Sequence, residues 1–386
     1  MIESQRLKLM IYLDNAATTI DKDESVARAV YDAINSKSFG NPSRGAYKVS
    51  LDALNLLMQT RKEVGAYFGM DNPLNVVLCP NITFALNFVI KSLFTKGDHV
   101  ITSLAEHNSV LRPLYDLAKN GTELSFIDIK DDFSLDLEKI ESLVKKNTKA
   151  LVITGASNVS GVLTDLDKAY EICKKNNLKL IIDGAQVAGY VPFDIKKYPE
   201  SIFLFTGHKG LHAPQGTGGF IVNGNFDFRQ VFAGGSGFDS FSKTQPHVLP
   251  DLFEPGTANV HSFAGLKSAI EFLRENPQKD INELTKILYY GLKDIDGIKF
   301  YSNINLKHVP IISFNIKDIP ANYIAMKLWD DYEICVRAGS HCAPLFHEKM
   351  GTKKQGIVRM SLSFYNTKEE IEKTIEAVKN IAKEKS

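Results

Sequence analysis

The stretch Ser201–Gly219 reads SIFLFTGHKGLHAPQGTGG. Its apolar run Ile202–Phe205 passes directly into Thr206-Gly207-His208-Lys209 and then into a glycine-rich loop. A short apolar run bounded by glycines predicts a strand buried on both faces of a sheet. A lysine just past the end of such a strand loses hydration, which penalises its charged form and frees the amine to attack a carbonyl. Thr206 and His208 add side-chain hydrogen-bonding groups, and the glycines let backbone approach an anion. Taken alone, a lysine in a glycine loop is more often a plain surface residue.

Outward from this segment, short apolar runs alternate with helical stretches between Asn75 and Val222. The predicted strands are Val76–Leu78, His99–Thr102, Leu124–Ile127, Ala150–Thr154, Leu180–Asp183, Ile202–Phe205 and Gly219–Val222. Helical patterns over Thr83–Leu93, Ser109–Asn120 and Leu166–Asn176 separate several of them. The alternation predicts an α/β fold with a mostly parallel seven-stranded sheet covered by helices on both faces. After about Phe263 the pattern changes to long charged amphipathic helices and three strand-like runs, Pro310–Asn315, Ile334–Arg337 and Ile357–Ser363. Thr367 and Glu370 have the spacing of a capping box at the start of the last helix. The expected division is a large α/β domain over residues 15–262 and a smaller α+β domain built from 1–14 and 263–386. Loops rich in Gly, Ser and Pro, Phe232 to Pro255, lie between the two parts.

Composition narrows the setting. The chain has 386 residues, 44% hydrophobic and 24% charged, with a net charge of +1. That balance gives no basic footprint for nucleic acid or a membrane face. The start Met1–Arg6 is too polar for a signal peptide, and no apolar run approaches the ~18 residues of a spanning helix. Cys79, Cys173, Cys335 and Cys342 form no CxxC pair, so a reducing, cytoplasmic setting is expected. The Asn-x-Ser/Thr triplets at Asn81 and Asn158 then carry no glycan.

Further chemistry-bearing residues recur at predicted strand ends. Asp183 closes Leu180–Asp183, 26 residues before Lys209, at the edge where ligands bind in open α/β sheets. The same aspartate also suits a helix N-cap. Thr83 stands where a strand gives way to a helix, a ready anion site, or again a plain cap. His107, in Glu106-His107-Asn108-Ser109, follows another strand and is placed either to stack on a flat ring or to serve as an ordinary structural histidine. Arg359 alternates with Val358 and Met360, which puts it on the face opposite to theirs; it is either a surface arginine or a fork for a carboxylate. Cys342 differs from the other cysteines because it lies in a loop, Val336–Pro344, near Arg337 and His341. Cys79, Cys173 and Cys335 read as small buried hydrophobes. A zinc site from His341, Cys342 and His347 lacks a fourth ligand, and glycines disfavour a helical metal pair at His208 and His212, so no metal is expected.

The order of these segments resembles the class V aminotransferase fold, within its cysteine desulfurase and selenocysteine lyase group. The resemblance begins at Tyr12–Thr19 and takes in Asn41–Arg44, Glu106–Ser109, Ser157–Gly161, Asp183–Gln186 and Thr206–Lys209. It continues through Glu254–Thr257, Arg337–Cys342, Arg359–Leu362 and Tyr365–Thr367. It implies a pyridoxal 5'-phosphate (PLP) enzyme of fold type I. Lys209 matches the Schiff-base lysine, Asp183 the partner of the pyridine nitrogen, Gln186 a residue at the ring hydroxyl and His107 the stacked histidine. Thr83, Thr206 and His208 match phosphate ligands. Thr257 matches a phosphate ligand supplied by the neighbouring subunit, which implies a homodimer. Asn158 resembles a residue near the ring hydroxyl and substrate carboxylate, Arg359 the carboxylate anchor and Arg337 a second arginine of the site.

The chain departs from that pattern at Ile82, where a second threonine is common, at Phe84 for glutamate, at Gly155 for histidine, at Ala213 for glycine and at Ala258 for proline. Only 17 positions separate Cys342 from Arg359, which resembles the branch with a short cysteine loop. The implied reaction is conversion of L-cysteine to L-alanine, with a persulfide on Cys342 passed to a sulfur-acceptor protein. Alternatives within the resemblance are a selenocysteine lyase, a cystine lyase or a true aminotransferase. An alternative of another class is a non-catalytic sulfur-carrier module.

Overall fold

The structure, a computed structural model, describes residues 10–42, 45–237, 241–276 and 281–384. Ser43 and Arg44 of the Asn41–Arg44 motif, and Met1–Arg6, lie outside the described residues. The chain runs through β1 (Ile11–Tyr12) into two helices, α1 (Glu24–Asn35) and α2 (Lys48–Phe68). Asp23 caps α1 by accepting from the Ser25 N–H, and Gly69 ends α2 at φ 82°, a left-handed conformation that glycine adopts without strain.

Seven strands follow: β2 (Val76–Cys79), β3 (His99–Ser103), β4 (Glu123–Ile127), β5 (Thr148–Thr154), β6 (Lys179–Asp183), β7 (Ser201–Thr206) and β8 (Gly218–Asn223). They form one sheet in the order β2-β8-β7-β6-β5-β3-β4. β8 alone runs against the others, which pair in parallel from β7 to β4. These are the seven strands expected from the sequence, each a residue or two longer. Their near-continuous apolar character follows from burial on both faces. Ile202 and Leu204 point into one core with Leu86 and Val110; Phe203 and Phe205 point into the other with Val64 and Phe68. The first core is roofed by α3 (Ile82–Leu93) and α4 (Asn108–Lys119). The second is covered by α2, α5 (Leu166–Lys175) and α6 (Val260–Glu275). Phe263, Leu266, Ala269, Ile270 and Leu273 of α6 all pack in this second core, so the division expected at Phe263 falls inside a helix.

The remainder has its own core. After α7 (Ile281–Lys293) come β9 (Ile298–Phe300), β10 (Ile311–Ile316), α8 (Ala321–Tyr332), β11 (Ile334–Cys335), β12 (Arg337–Gly339), α9 (Pro344–Lys349), β13 (Ile357–Ser361) and α10 (Lys368–Glu384). β12-β13-β10-β9 form an antiparallel sheet whose Phe314, Val358 and Met360 pack against Ile371 and Val378 of α10. The capping box of α10 is made: the Thr367 N–H donates to Glu370 Oε2 at 2.9 Å, and the Glu370 N–H to Thr367 Oγ1 at 3.3 Å.

Two expectations are corrected here. The run Ile334–Arg337 is not one strand. β11 pairs in parallel with β1, and after Val336 the chain changes sheets so that β12 pairs with β13. Long-range pairing decides that break, and local apolar pattern carries no trace of it. Cys335 is half-buried instead of core, at the end of the two-residue strand β11. The strand β9 was also missed, being three half-exposed residues without usable periodicity. Among the described residues, no helix is long and apolar enough to cross a membrane.

Candidate active site

The carboxyl ends of β2, β3, β5, β6 and β7 all open on the same edge of the large sheet, where the loops that leave them carry side chains toward one hollow. Lys209, His208, Thr206, Asp183, Gln186, Asn158, His107 and Thr83 line a single cavity of ≈ 690 Å³. Gly207 turns the chain there in close contact, since a Cβ on it would lie 2.1 Å from the Thr217 hydroxyl. Glycine at this position thus serves packing within the loop.

The floor is electrostatically poised. Loss of hydration pushes the Lys209 amine down to about 8; the charge of Asp183 opposes that shift and Arg359 adds to it. Asp183 is buried, accepts the Ala185 N–H at 2.9 Å, and has its carboxyl pushed up by desolvation, with Lys209 opposing. A cationic ring nitrogen beside it would favour the carboxylate. Gln186 donates to the Ala16 carbonyl at 3.0 Å, which leaves its buried Oε1 without a partner; Thr206 Oγ1 and Asn158 Oδ1 are likewise buried without partners. Buried polar atoms left in that state are costly unless a ligand or water completes them.

At the opposite wall α3 starts with Asn81 as its cap, whose Oδ1 accepts the Phe84 N–H at 3.2 Å. Capping therefore does not occupy Thr83. Its hydroxyl instead meets Ser109 Oγ at 2.8 Å, beside helix N–H groups that suit an anion. His107 caps α4: its Nδ1 accepts the Ser109 N–H at 3.0 Å, so the proton of the neutral ring resides on Nε2. Burial, then the charges of Lys209 and Arg359, push His107 down to about 4, and His208 is pushed down to about 4 by burial and Lys209. Both rings are neutral at pH 7.

The smaller sheet meets this site through Asn158. Val358 and Met360 face its core, and Arg359, which does not itself line the main cavity, alternates with them and reaches the backbone of the lining residue Asn158. Its NH1 donates to the Asn158 carbonyl and its NH2 to Asp14 Oδ1, both at 2.9 Å, while Nε is buried without a partner. Arg337 is exposed on the edge strand, directly across from Arg359. Two guanidinium groups in register repel one another, and a carboxylate between them would relieve that. Cys342 is exposed and lines a second groove of ≈ 710 Å³ that shares Thr83, His107 and Ser109 with the main cavity.

Thr257 is not brought to this cavity. It lies with Phe84, Phe88, Pro255 and Gly256 in a separate hollow. Phe84, one of the departures, lines both hollows, and Ile82 lines the main one. Two contributors escaped the sequence reading. Ser109 joins Thr83 to His107, and Asp14 holds Arg359. Both lay inside quoted motifs, yet nothing local marks a serine or aspartate as the partner of a residue 26 or 345 positions away. Among the described residues, no group of three or more His, Cys, Asp or Glu is placed to hold a metal.

An amine beside a buried carboxylate, a helix start suited to an anion, and a thiol one groove away thus lie at one edge of the large sheet. The class V aminotransferase family model matches residues 11–374, and the chain belongs to that family. Within it, the chain is 30% identical over 390 residues to a protein of Pyrococcus abyssi named "probable cysteine desulfurase", covering 97% of this chain and 94% of that protein. A cysteine desulfurase of Haloferax volcanii is 27% identical, with 96% and 88% covered. The solved structure of an apo cysteine desulfurase from Thermococcus onnurineus superposes with a TM-score of 0.89 at 30% identity, covering 97% of this chain and 95% of that one.

Proposed function

We propose that this chain is a pyridoxal-phosphate enzyme that takes L-cysteine to L-alanine and receives the sulfur on Cys342. The observation that carries the reading is the adjacency of two hollows: one built around Lys209 and Asp183, the other holding the exposed Cys342, joined through Thr83, His107 and Ser109.

The donor set fits the cofactor. Lys209 would bind its aldehyde and Asp183 its ring nitrogen. Gln186 and Asn158 would serve its hydroxyl, His107 its ring face, and Thr83, Thr206 and His208 its phosphate. Bound there, pyridoxal phosphate supplies an electron sink that makes the substrate Cα–H acidic. Arg359, oriented by Asp14, takes the substrate carboxylate, with Arg337 beside it. Lys209, its amine pushed down to about 8 by desolvation, keeps a fraction in the free form near neutral pH that can remove the Cα proton and return it. The Cys342 thiolate attacks the substrate sulfur: an S–S bond forms, the Cβ–S bond breaks, and protonation of the carbon skeleton yields L-alanine.

Thr257 reads best as a phosphate ligand lent to a neighbouring subunit. It is surrounded by Phe84 and Phe232, large apolar groups 52% and 61% exposed in the single chain; this supports a homodimer. The separate cores support two domains, a large one that includes α6 and a small one built from 1–14 and the chain from α7 onward, so the expected boundary at 262/263 moves to the end of α6. The four free cysteines suit a reducing, cytoplasmic setting, and a sulfur-acceptor protein would then take the persulfide sulfur.

The test is a single-turnover pulse of L-cysteine followed by alkylation and mass mapping. We expect alanine and a persulfide on Cys342 in equal amounts. Cys342→Ala should still exchange the Cα proton of L-cysteine yet form almost no alanine. Full alanine production by that variant would remove the reading and favour sulfur elimination without a protein nucleophile.

A further inference from the structure

The turn that carries Cys342 is held in an unusual backbone state. His341 and Cys342, consecutive and neither of them glycine, adopt φ of 48° and 52°. L-residues avoid this region because Cβ crowds the backbone, and they stay there only where the surroundings over-determine it. Three hydrogen bonds do so. The Asn108 N–H, at the start of α4, donates to the Cys342 carbonyl at 2.7 Å. Asn158 Nδ2 donates to the His341 carbonyl at 2.8 Å. His341 Nε2 donates to the Ile357 carbonyl of β13 at 2.9 Å.

The first two bonds tie the backbone of the turn to loops of the large sheet. The third is the side chain's own, and it ties the turn to the strand that carries Arg359. Donation to a carbonyl puts the ring proton on Nε2 and leaves Nδ1 bare; that nitrogen is buried without a partner. The ring is 7% exposed and lies against His347, with centroids 5.8 Å apart and planes at 24°. His347 is fixed in turn, with Nδ1 2.8 Å from Thr352 Oγ1. Burial, reinforced by Arg359, holds His341 well below its usual range, so the ring is neutral. A neutral ring whose one proton is committed to a carbonyl is a wedge and not a base.

We infer that His341 is the positioning residue for the Cys342 thiol, locking its strained turn to β13 so that nucleophile and carboxylate anchor keep a fixed spacing. This rests on the reading of Cys342 as the sulfur acceptor. Asn158 completes the frame, since it holds the His341 carbonyl with its side chain and Arg359 with its own carbonyl.

The experiment compares His341→Ala, His341→Gln and His341→Asn with wild type and Cys342→Ala, all as cofactor-loaded protein with L-cysteine. For His341→Ala, kcat for alanine should fall between about tenfold and a hundredfold, the range for a reacting group displaced by an ångström. KM and Cα-proton exchange should stay near wild type. Glutamine can still reach the Ile357 carbonyl, so His341→Gln should recover most of the rate; asparagine is too short, so His341→Asn should not. In cofactor-free protein, amide hydrogen exchange over residues 339–344 should quicken in His341→Ala and His341→Asn and stay near wild type in His341→Gln. Should His341→Ala fail to fold, the order of Gln above Asn carries the test. Unchanged kcat in His341→Ala, or equal rates for Gln and Asn, with Cys342→Ala inactive, overturns the inference alone. Full alanine formation by Cys342→Ala overturns the underlying reading as well.

Discussion

The two sheets carry their candidate residues on different terms. On the large sheet, Lys209 and Asp183 follow parallel strands directly, sit in low-dielectric surroundings and have their proton affinities shifted by burial. On the small-sheet side, Arg359 is held by an ion pair to Asp14 and a carbonyl, and Cys342 is exposed on a strained turn. Desolvation shifts the proton affinities of the first pair. Geometry imposed by neighbours positions the second. On the proposed reading this is a division of labour: the large sheet would make the substrate reactive at Cα, and the small sheet would set where its carboxylate and its sulfur lie.

The largest effect should come from the first side. Lys209→Ala should lose turnover by about 10³-fold or more, the scale of a missing acid–base group plus its covalent link. Borohydride reduction of the wild type should leave the pyridoxyl group on Lys209, as read by peptide mass spectrometry; finding it on another lysine would move the centre of the site. Loss on the second side should be smaller and different in kind. Arg359→Ala removes one partner of a buried charge pair, a change worth on the order of 2–5 kcal/mol. Its KM for L-cysteine should rise by roughly 30-fold or more. Arg359→Lys should fall between, since it keeps the charge without the fork. Equal losses in kcat for all variants of both sides would erase the distinction.

The smallest effect sharpens the electrostatic half of the comparison. Only the unprotonated amine attacks an aldehyde. With Lys209 pushed down to about 8 from 10.5, cofactor capture by cofactor-free protein should speed up as pH rises to about 8 and level off beyond it. Stopped-flow absorbance measures this. A rate still climbing at pH 10 would show an amine that burial has left unshifted.

The same contrast governs what was legible beforehand. Lys209, Asp183, Thr206 and His107 each follow an apolar run of strand length, so local pattern alone places them at strand ends, and parallel topology brings strand ends together. The seven strands were readable for the same reason: burial on both faces leaves an unbroken apolar run. Ile334–Arg337 was misread because one extended run divides between two sheets, and the choice belongs to β1 and β13, far away in the chain.

Sequence by itself determined the α/β class, the placement of Lys209 and Asp183 at strand ends, and the distinct character of Cys342 among four cysteines. Tertiary structure alone decided that Asp14 holds Arg359, that Ser109 links Thr83 to His107, and that Asn158 and His341 clamp the Cys342 turn. The physical reason is range. Hydrophobic periodicity is written between near neighbours along the chain, whereas most of these hydrogen bonds join residues far apart in it, and the Asn158–His341 bond also joins the two domains.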